Sequence, residues 1–164
     1  MLDTDVTFHL TSDSDEDIIR AIQCIYAVYG YNYIHQQFYH IDIFKKQLQS
    51  EKYISLLAEN KHHQALGHIA AEEHDWLSGI MELCNLVVKP CARGLNLAGR
   101  LEKEIIKIAN QKHIVGLYGM PVMFHPISQK LLDKMVLRPA VCVLMRQAQR
   151  IEKNTRKTGI ACML

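Results

Sequence analysis

The order of apolar and polar residues divides the chain into strand-like and helix-like segments. Short apolar or alternating runs bounded by polar or glycine-bearing turns predict strands, and apolar residues recurring three or four positions apart predict helices. The predicted strands are 6–10, 53–59, 65–73, 80–88, 115–122, 140–145 and 158–164. The predicted helices are 15–29, 41–49, 97–111 and 128–135.

This order, β-α-α-β-β-β-α-β-α-β-β, predicts one mixed α/β (α+β) domain over residues 1–164. It lacks the regular alternation of a doubly wound fold. Gly67, inside the third predicted strand, indicates a bulge or a close approach of another backbone. Residues 146–157 form a basic turn before the last predicted strand, and further domains in a longer chain remain an open alternative.

The composition of the chain indicates which classes of partner to expect and in which cellular compartment the protein lies. The formal net charge is +2, from 19 basic and 17 acidic residues, which is too even to predict nucleic-acid binding. No apolar run reaches the about 18 residues of a membrane span, and the acidic start is not a secretory signal. The five cysteines are odd in number and lie in apolar segments, which favours reduced thiols and a cytoplasmic location.

One junction between a strand and a helix has the features of an anion site. A buried strand ends before Pro90, small residues follow, and a helix begins near Leu97. Such a junction collects free backbone N–H groups at the positive end of a helix, and small side chains let an anion approach them. We call residues 93–99 the anion cradle. The phosphate-loop lysine motif and the GxGxxG motif are both absent, which favours a different pyrophosphate, and a purely structural turn is the alternative.

The cradle resembles a known signature. Arg93-Gly94-Leu95-Asn96-Leu97-Ala98 is similar to the coenzyme A motif of the GNAT superfamily of N-acetyltransferases, with Asn96 at the position of the first glycine. Asparagine tolerates left-handed backbone angles, so the loop can keep its shape. Residues 125–137 also resemble the late helix of that family. The resemblance covers about residues 6–145 and implies a central, mostly antiparallel mixed sheet flanked by helices.

The resemblance implies an acyltransferase with acetyl-CoA as cofactor and donor and an amine as acceptor. It implies that backbone groups of the strand before the cradle meet the pantetheine arm and that the cradle holds the pyrophosphate. The implied coenzyme A contacts are Leu86, Val87, Val88, Arg93, Gly94, Leu95, Asn96, Leu97, Ala98, Gly99, Arg100 and His125. The acceptor, the oligomeric state (a dimer is one option) and any membrane or nucleic-acid role are not indicated by these residues.

Acyl transfer from a thioester needs a base for the amine and an acid for the leaving thiolate. Glu82 is the base candidate, and it has the same strand parity as Val88 and the opposite parity to Val87. The alternative is a glutamate that satisfies neighbouring groups at a strand bulge. Leu132 stands at the position where the family usually has a tyrosine that protonates the leaving thiolate. The other acid candidates are His125, Tyr118, Tyr31 and Tyr33, each of which has a structural alternative at a helix start or a pocket wall.

Three further features complete the hypotheses. Tyr31 and Tyr33 are predicted to wall the acceptor site through their ring faces. Cys84 is interpreted as a buried strand thiol, and the histidine-rich stretch 62–74 lacks a zinc-binding spacing, so no metal site is predicted. Because Leu132 cannot donate a proton, a non-catalytic acyl-CoA sensor or regulatory module is the main alternative. A small interaction domain with an accidental cradle is the other.

Overall fold

The computed structural model describes residues 5–76 and 78–119 together with the backbone of two later strands. The helices are α1 (Asp15–Tyr29), α2 (Ile41–Leu48) and α3 (Leu97–Gln111), and short 3₁₀ helices occupy Gln36–Tyr39 and Pro90–Ala92. The strands are β1 (Val6–Leu10), β2 (Tyr53–Asn60), β3 (Ala65–Glu73), β4 (Ile80–Val88), β5 (Gly116–Gly119), β6 (Val141–Met145) and β7 (Gly159–Met163). These bounds confirm the predicted order wherever the chain is described, and the helix predicted at 128–135 lies outside that part.

The strands form one seven-stranded sheet in the order β1-β2-β3-β4-β5-β7-β6. The pair β4–β5 is parallel, and every other neighbouring pair is antiparallel. This arrangement confirms the predicted mixed, mostly antiparallel sheet. The parallel pair follows from the long connection through α3, since parallel neighbours need a crossover.

The sheet is covered on both faces. Helices α1 and α2 pack on one face through a cluster that includes Ile18, Ile25 and Phe44, all fully buried. Helix α3 packs on the other face through Leu101 and Ile105, which are also fully buried. Each such side chain contributes roughly 1.5–3 kcal/mol relative to exposure. Among the described residues, no helix is long and apolar enough to cross a membrane.

Helix α1 begins and ends where its sequence dictates. Ser14 caps the start, because its Oγ accepts a hydrogen bond from the Asp17 amide at 3.3 Å, and acidic residues fill the first turn. Gly30 ends the helix with φ of +56°, a conformation that side-chain-bearing residues rarely adopt. The helix therefore ends at Gly30, and the aromatic loop with Tyr31 and Tyr33 begins directly after it.

Gly67 is both next to a bulge and at a close approach, as the sequence predicts. The β2–β3 pairing passes from Ala58 opposite Gly67 to Glu59 opposite Ala65, so Leu66 is the extra residue. A Cβ atom on Gly67 would lie 2.9 Å from the Val87 carbonyl oxygen. A side chain at this position would therefore push β3 away from β4.

Candidate active site

Strand β4 contains a bulge at its centre. His68 pairs with Val87 and Ala70 pairs with Cys84, so β4 advances three residues while β3 advances two. Asn85, within the bulge, has φ of +54°, which asparagine adopts more readily than most residues. The extra residue exchanges the two faces of the strand. Glu82 therefore shares a face with Val87, and the predicted parity with Val88 was wrong.

A chain of buried hydrogen bonds holds this bulge. The Tyr33 hydroxyl donates to Asn85 Oδ1, and Asn85 Nδ2 donates to the Tyr53 hydroxyl at 3.0 Å. His68 Nδ1 donates to the Asn85 carbonyl at 3.2 Å, which leaves Nε2 to accept from Ser55 Oγ at 2.8 Å. Burial lowers the pKa of His68 to about 4, so the imidazole is neutral. The bulge is thus fixed, through the side chain and the carbonyl of Asn85, by residues of three other segments.

The anion cradle has the backbone that the sequence predicts. Asn96 adopts left-handed angles, φ 54° and ψ 29°, directly before α3. Gly94 has φ of +88°, and a Cβ atom there would meet nothing within 4 Å. The amides of the first helical residues, Leu97, Ala98 and Gly99, have no acceptor among the residues described, and the Asn96 side chain does not cap them. The cradle therefore presents unbonded N–H groups at an open helix start.

The two arginines beside these amides differ. Arg93 is exposed, and its amide donates back to Pro90. Arg100 is turned toward β1, where its guanidinium donates to the Val6 carbonyl at 3.3 Å and lies 4.9 Å from the Phe8 ring centre. The Arg100 amide is also engaged, since it donates to the Asn96 carbonyl at 3.2 Å. Of the predicted coenzyme A contacts, Arg100 is the least suited.

The strand segment before the cradle has one edge without a described partner. Among the described residues, strand β5 pairs with β4 from Ile80 to Leu83. Val87 and Val88 pair on their other side with His68 and Gly67 of β3, and Val87 is buried. Within the described ranges, no strand pairs with the β5-facing edge of residues 85–88. That edge can take an extended ligand by strand-like hydrogen bonds.

A cluster of three side chains, His74, Trp76 and Tyr118, lies at Glu82 in the half of β4 that pairs with β5. His74 Nε2 donates to Glu82 Oε2 at 2.8 Å, and the Tyr118 hydroxyl donates to the same oxygen at 3.3 Å. Trp76 stacks on His74 with a centroid distance of 5.9 Å and an interplanar angle of 9°. The ring of Trp76 also lies 6.3 Å from that of Tyr118. The Glu82 side chain is 14% exposed, so this base candidate is held in a mostly dry site.

The Glu82 carboxylate and burial together raise the pKa of two neighbouring side chains, Glu72 and Tyr118. Glu72 lies directly opposite Glu82 on β3, and burial together with the Glu82 charge raises the pKa of Glu72. Burial and the adjacent Glu82 carboxylate also raise the pKa of Tyr118 well above its ordinary value. A phenol with a raised pKa is a weaker proton donor. Tyr118 is accordingly less suited to protonate a thiolate than its position in the sequence indicates.

The remaining sequence candidates are dispersed. Tyr33 is buried and occupied by the bulge, whereas Tyr31 is 74% exposed and lies edge-on to Tyr26 with a 5.0 Å centroid distance. Burial, together with Glu72 and Glu82, raises the pKa of the Cys84 thiol well above its ordinary value, which agrees with a strand thiol and not a nucleophile. His125 and Leu132 lie outside the described residues.

Sequence reasoning missed three functional candidates, namely His74, Trp76 and Asn85. His74 was grouped with neighbouring histidines, although its partner Glu82 lies eight residues away across a hairpin. Asparagine is depleted in strands, so Asn85 within a long apolar run was a usable signal for the bulge. His74 could have been matched with Glu82 only by aligning β3 with β4 residue by residue across their turn. The bulge in β4 makes that alignment difficult to derive from the sequence.

No protein-family model and no curated protein sequence matches the chain. Solved structures do match over nearly its whole length. The ribosomal-protein-S18-alanine N-acetyltransferase from Escherichia coli has a TM-score of 0.75 at 13% identity, covering 98% of this chain and 93% of that one. An N-acetyltransferase from Staphylococcus aureus Mu50 has a TM-score of 0.76 at 17% identity, covering 98% of both chains.

A spermidine/spermine N-acetyltransferase from Vibrio cholerae, solved in mutant forms, has a TM-score of 0.70 at 12% identity and covers 98% of this chain and 94% of its own. The matched proteins act on different acceptors according to their names, so what they share is the architecture. The chain has the fold of the GNAT N-acetyltransferases.

Proposed function

We propose that this chain is an acyl-CoA-dependent N-acyltransferase that transfers acetyl from acetyl-CoA to an amine. The observation that carries the proposal is the open anion cradle, with unbonded amides at Leu97, Ala98 and Gly99 behind the left-handed Asn96. Backbone amides at a helix start bind phosphate without needing a side-chain cation. The cradle therefore fits the pyrophosphate of coenzyme A, although the usual glycine is replaced.

In this proposal the cofactor lies along β4. The cradle amides hold its pyrophosphate, and the open edge of residues 85–88 receives its pantetheine arm by backbone hydrogen bonds. The cofactor supplies the activated acyl group as a thioester. The Asn85 bulge fixes the direction of the Leu86 and Val87 backbone, because the buried network leaves that segment little freedom.

Glu82 accepts the proton of the acceptor amine in this proposal. Its carboxylate is mostly buried, and its Oε2 already receives two hydrogen bonds. The proton donor to the leaving thiolate is not assigned to Tyr118, whose hydroxyl is committed to Glu82 and whose pKa burial raises. His125 stays the candidate for that role.

We further propose a cytoplasmic location for the protein. The free thiols of Cys24, Cys84 and Cys91 support it, because thiols stay reduced in that compartment.

Calorimetric titration with coenzyme A tests the cradle in the wild type and in Ala98→Asp. An aspartate in the first turn is compatible with a helix but repels a bound pyrophosphate, so we expect affinity to fall by more than about tenfold while the fold is kept. Gln111→Glu adds the same charge at the opposite end of α3 and serves as the matched control. Equal affinity in Ala98→Asp and the wild type would show that the cradle is only a turn.

A thiol-release assay with acetyl-CoA and a panel of amines tests the reaction itself. Free coenzyme A should accumulate only when an amine acceptor is present. Coenzyme A binding without turnover across the panel would contradict the enzyme and support the acyl-CoA sensor.

A further inference from the structure

Glu82 has an asymmetric set of hydrogen bonds. Both donors that reach it, His74 Nε2 and the Tyr118 hydroxyl, bond to Oε2. No residue in the described part of the chain donates to Oε1. A carboxylate held in this way has a fixed plane and one free acceptor oxygen. We infer that His74 is a positioning residue that holds Glu82 so that Oε1 faces the acceptor amine, an inference that rests on the proposed acyltransfer.

The imidazole is itself held in place. Trp76 stacks parallel to it, and Trp76 also approaches Tyr118, so the three rings and the carboxylate form one contiguous unit. Stacked aromatic pairs are stabilised beyond the area that they bury. The unit spans β3, β4 and β5 because Glu82 pairs in register with Glu72 on one side and Tyr118 on the other. The hydrogen bond to Glu82 and the stack against Trp76 together orient the imidazole, whose side chain is 32% exposed.

The other acidic residues near His74 have partners of their own, so Glu82 is the carboxylate that His74 bonds. Asp75, next in sequence, forms its ion pair with Lys52 at 2.6 Å. Glu72, directly opposite Glu82 on β3, accepts a hydrogen bond from Gln47 Nε2 at 3.4 Å, and no hydrogen bond joins it to His74 within the described part of the chain. No lysine or arginine among the described residues pairs with Glu82. Removing the His74 donor therefore leaves this carboxylate with one long hydrogen bond from Tyr118.

Without the hydrogen bond from His74, the Glu82 carboxylate can rotate. The variant then loses the orientation of the base and keeps the base itself. A misplacement of about 1 Å in a catalytic group can cost about 10²-fold in rate. The base itself would remain, so the loss should be smaller than the about 10²–10⁴-fold expected from removing a base. The effect should appear in kcat and not in the KM for acetyl-CoA, because His74 lies away from the cradle.

The kinetic test compares three variants. His74→Phe keeps a ring against Trp76 but cannot donate, and we expect kcat to fall at least about tenfold with an unchanged KM for acetyl-CoA. His74→Gln places an amide donor near the position of Nε2 and should restore most of the loss. His62→Phe, in the exposed β2–β3 turn, is the matched control. A kcat of His74→Phe within about twofold of the wild type would overturn the inference.

A second measurement is independent of turnover. Nitrogen NMR of the His74 ring, recorded at alkaline pH in the wild type and in Glu82→Gln, reports which ring nitrogen carries the proton. We expect the Nε2–H form in the wild type and a loss of that preference in the variant. A His74 ring protonated on Nδ1 in the wild type would overturn the inference. Absent turnover with coenzyme A bound would contradict the enzyme alone, and the NMR result would still decide whether His74 holds Glu82.

Discussion

At the scale of single residues, two asparagines shape the candidate site. Asn85 and Asn96 both have positive φ, and they form the bulge in β4 and the entrance to α3. A left-handed conformation costs a typical residue about 1–2 kcal/mol, and asparagine adopts it more readily than other side chains except glycine. Asn96 can thus adopt the left-handed backbone that glycine would also allow at this position of the cradle. In the proposed reaction, the chemistry of the site rests on a third residue, Glu82.

Replacing Glu82 by glutamine should separate catalysis from cofactor binding. The amide cannot accept the amine proton, so we expect turnover to fall by about 10²–10⁴-fold with coenzyme A affinity unchanged. Steady-state kinetics and calorimetry measure the two effects, and the exposed Glu51→Gln is the control. A decrease of less than about threefold, well short of that range, would show that Glu82 is structural.

His68 makes stability depend on pH. Its folded-state pKa of about 4 lies below the ordinary 6.5, so the unfolded chain binds the proton first. The stability from neutral His68 is fully present above pH 6.5 and is lost progressively as pH falls toward 4. At pH 5 the loss should be about 2 kcal/mol, since each unit of difference corresponds to about 1.4 kcal/mol.

Urea unfolding at pH 7.5 and pH 5 measures this loss. We expect the wild type to lose about 2 kcal/mol more than His68→Gln, because the variant keeps a polar side chain but does not titrate. The exposed His62→Gln should behave as the wild type. Equal losses in wild type and His68→Gln would mean that His68 can charge without leaving the fold.

At the scale of elements, α3 combines the cradle with a buried acid. Its first turn carries the open amides, and its apolar stripe covers one face of the sheet. Glu102 lies beside that stripe, is 5% exposed, and has no hydrogen bond or ion pair with the described residues. Burial raises the pKa of Glu102 to about 7. The helix therefore places an unpaired carboxyl group in its own packing surface.

Glu102→Gln should stabilise the protein at alkaline pH. A carboxyl whose folded pKa is raised is fully compatible with the fold below the ordinary 4.5 and becomes unfavourable as pH rises through about 7. The difference between about 7 and 4.5 corresponds to roughly 3 kcal/mol, and solvent screening reduces it, so we expect a gain of about 1–2 kcal/mol at pH 8 and almost none at pH 4. Thermal unfolding at both values measures it, with Glu104→Gln on the same helix as control. A gain equal at both pH values would contradict the assignment to ionisation.

At the scale of the whole molecule, β4 connects the two halves of the candidate site. Glu82 lies where β4 pairs with β5, and the cradle follows the end of the same strand. The six residue-to-residue steps from Glu82 to Val88 span about 20 Å at the usual strand rise, somewhat less across the bulge. A coenzyme that occupies the cradle and the open edge would thus contact β4, the loop and α3 together.

Coenzyme A should therefore stabilise the molecule as a unit. A ligand at 100 times its Kd adds about 2.7 kcal/mol to the folded state if it does not bind the unfolded chain. We expect one cooperative thermal transition that shifts upward with coenzyme A in the wild type and in Gln111→Glu, and a much smaller shift in Ala98→Asp. A shift of equal size in all three proteins would place the binding site elsewhere.

The sequence by itself determined the described elements and the form of the cradle. The bounds of α1, β3, β4 and α3 follow from apolar periodicity, a serine cap and a proline, all of which act over a few residues. The left-handed Asn96 follows from local backbone preference for the same reason. Such features need no knowledge of distant neighbours.

Only the tertiary structure decided how the site is assembled. The face of Glu82 depends on a bulge that the apolar run of β4 conceals, and one extra residue reverses every later side chain. The partners of Glu82 lie 8 and 36 residues away, and that of Arg100 lies 94 residues away. These contacts are set by strand register and by the packing of α3, and both are properties of the folded sheet that local sequence patterns do not encode.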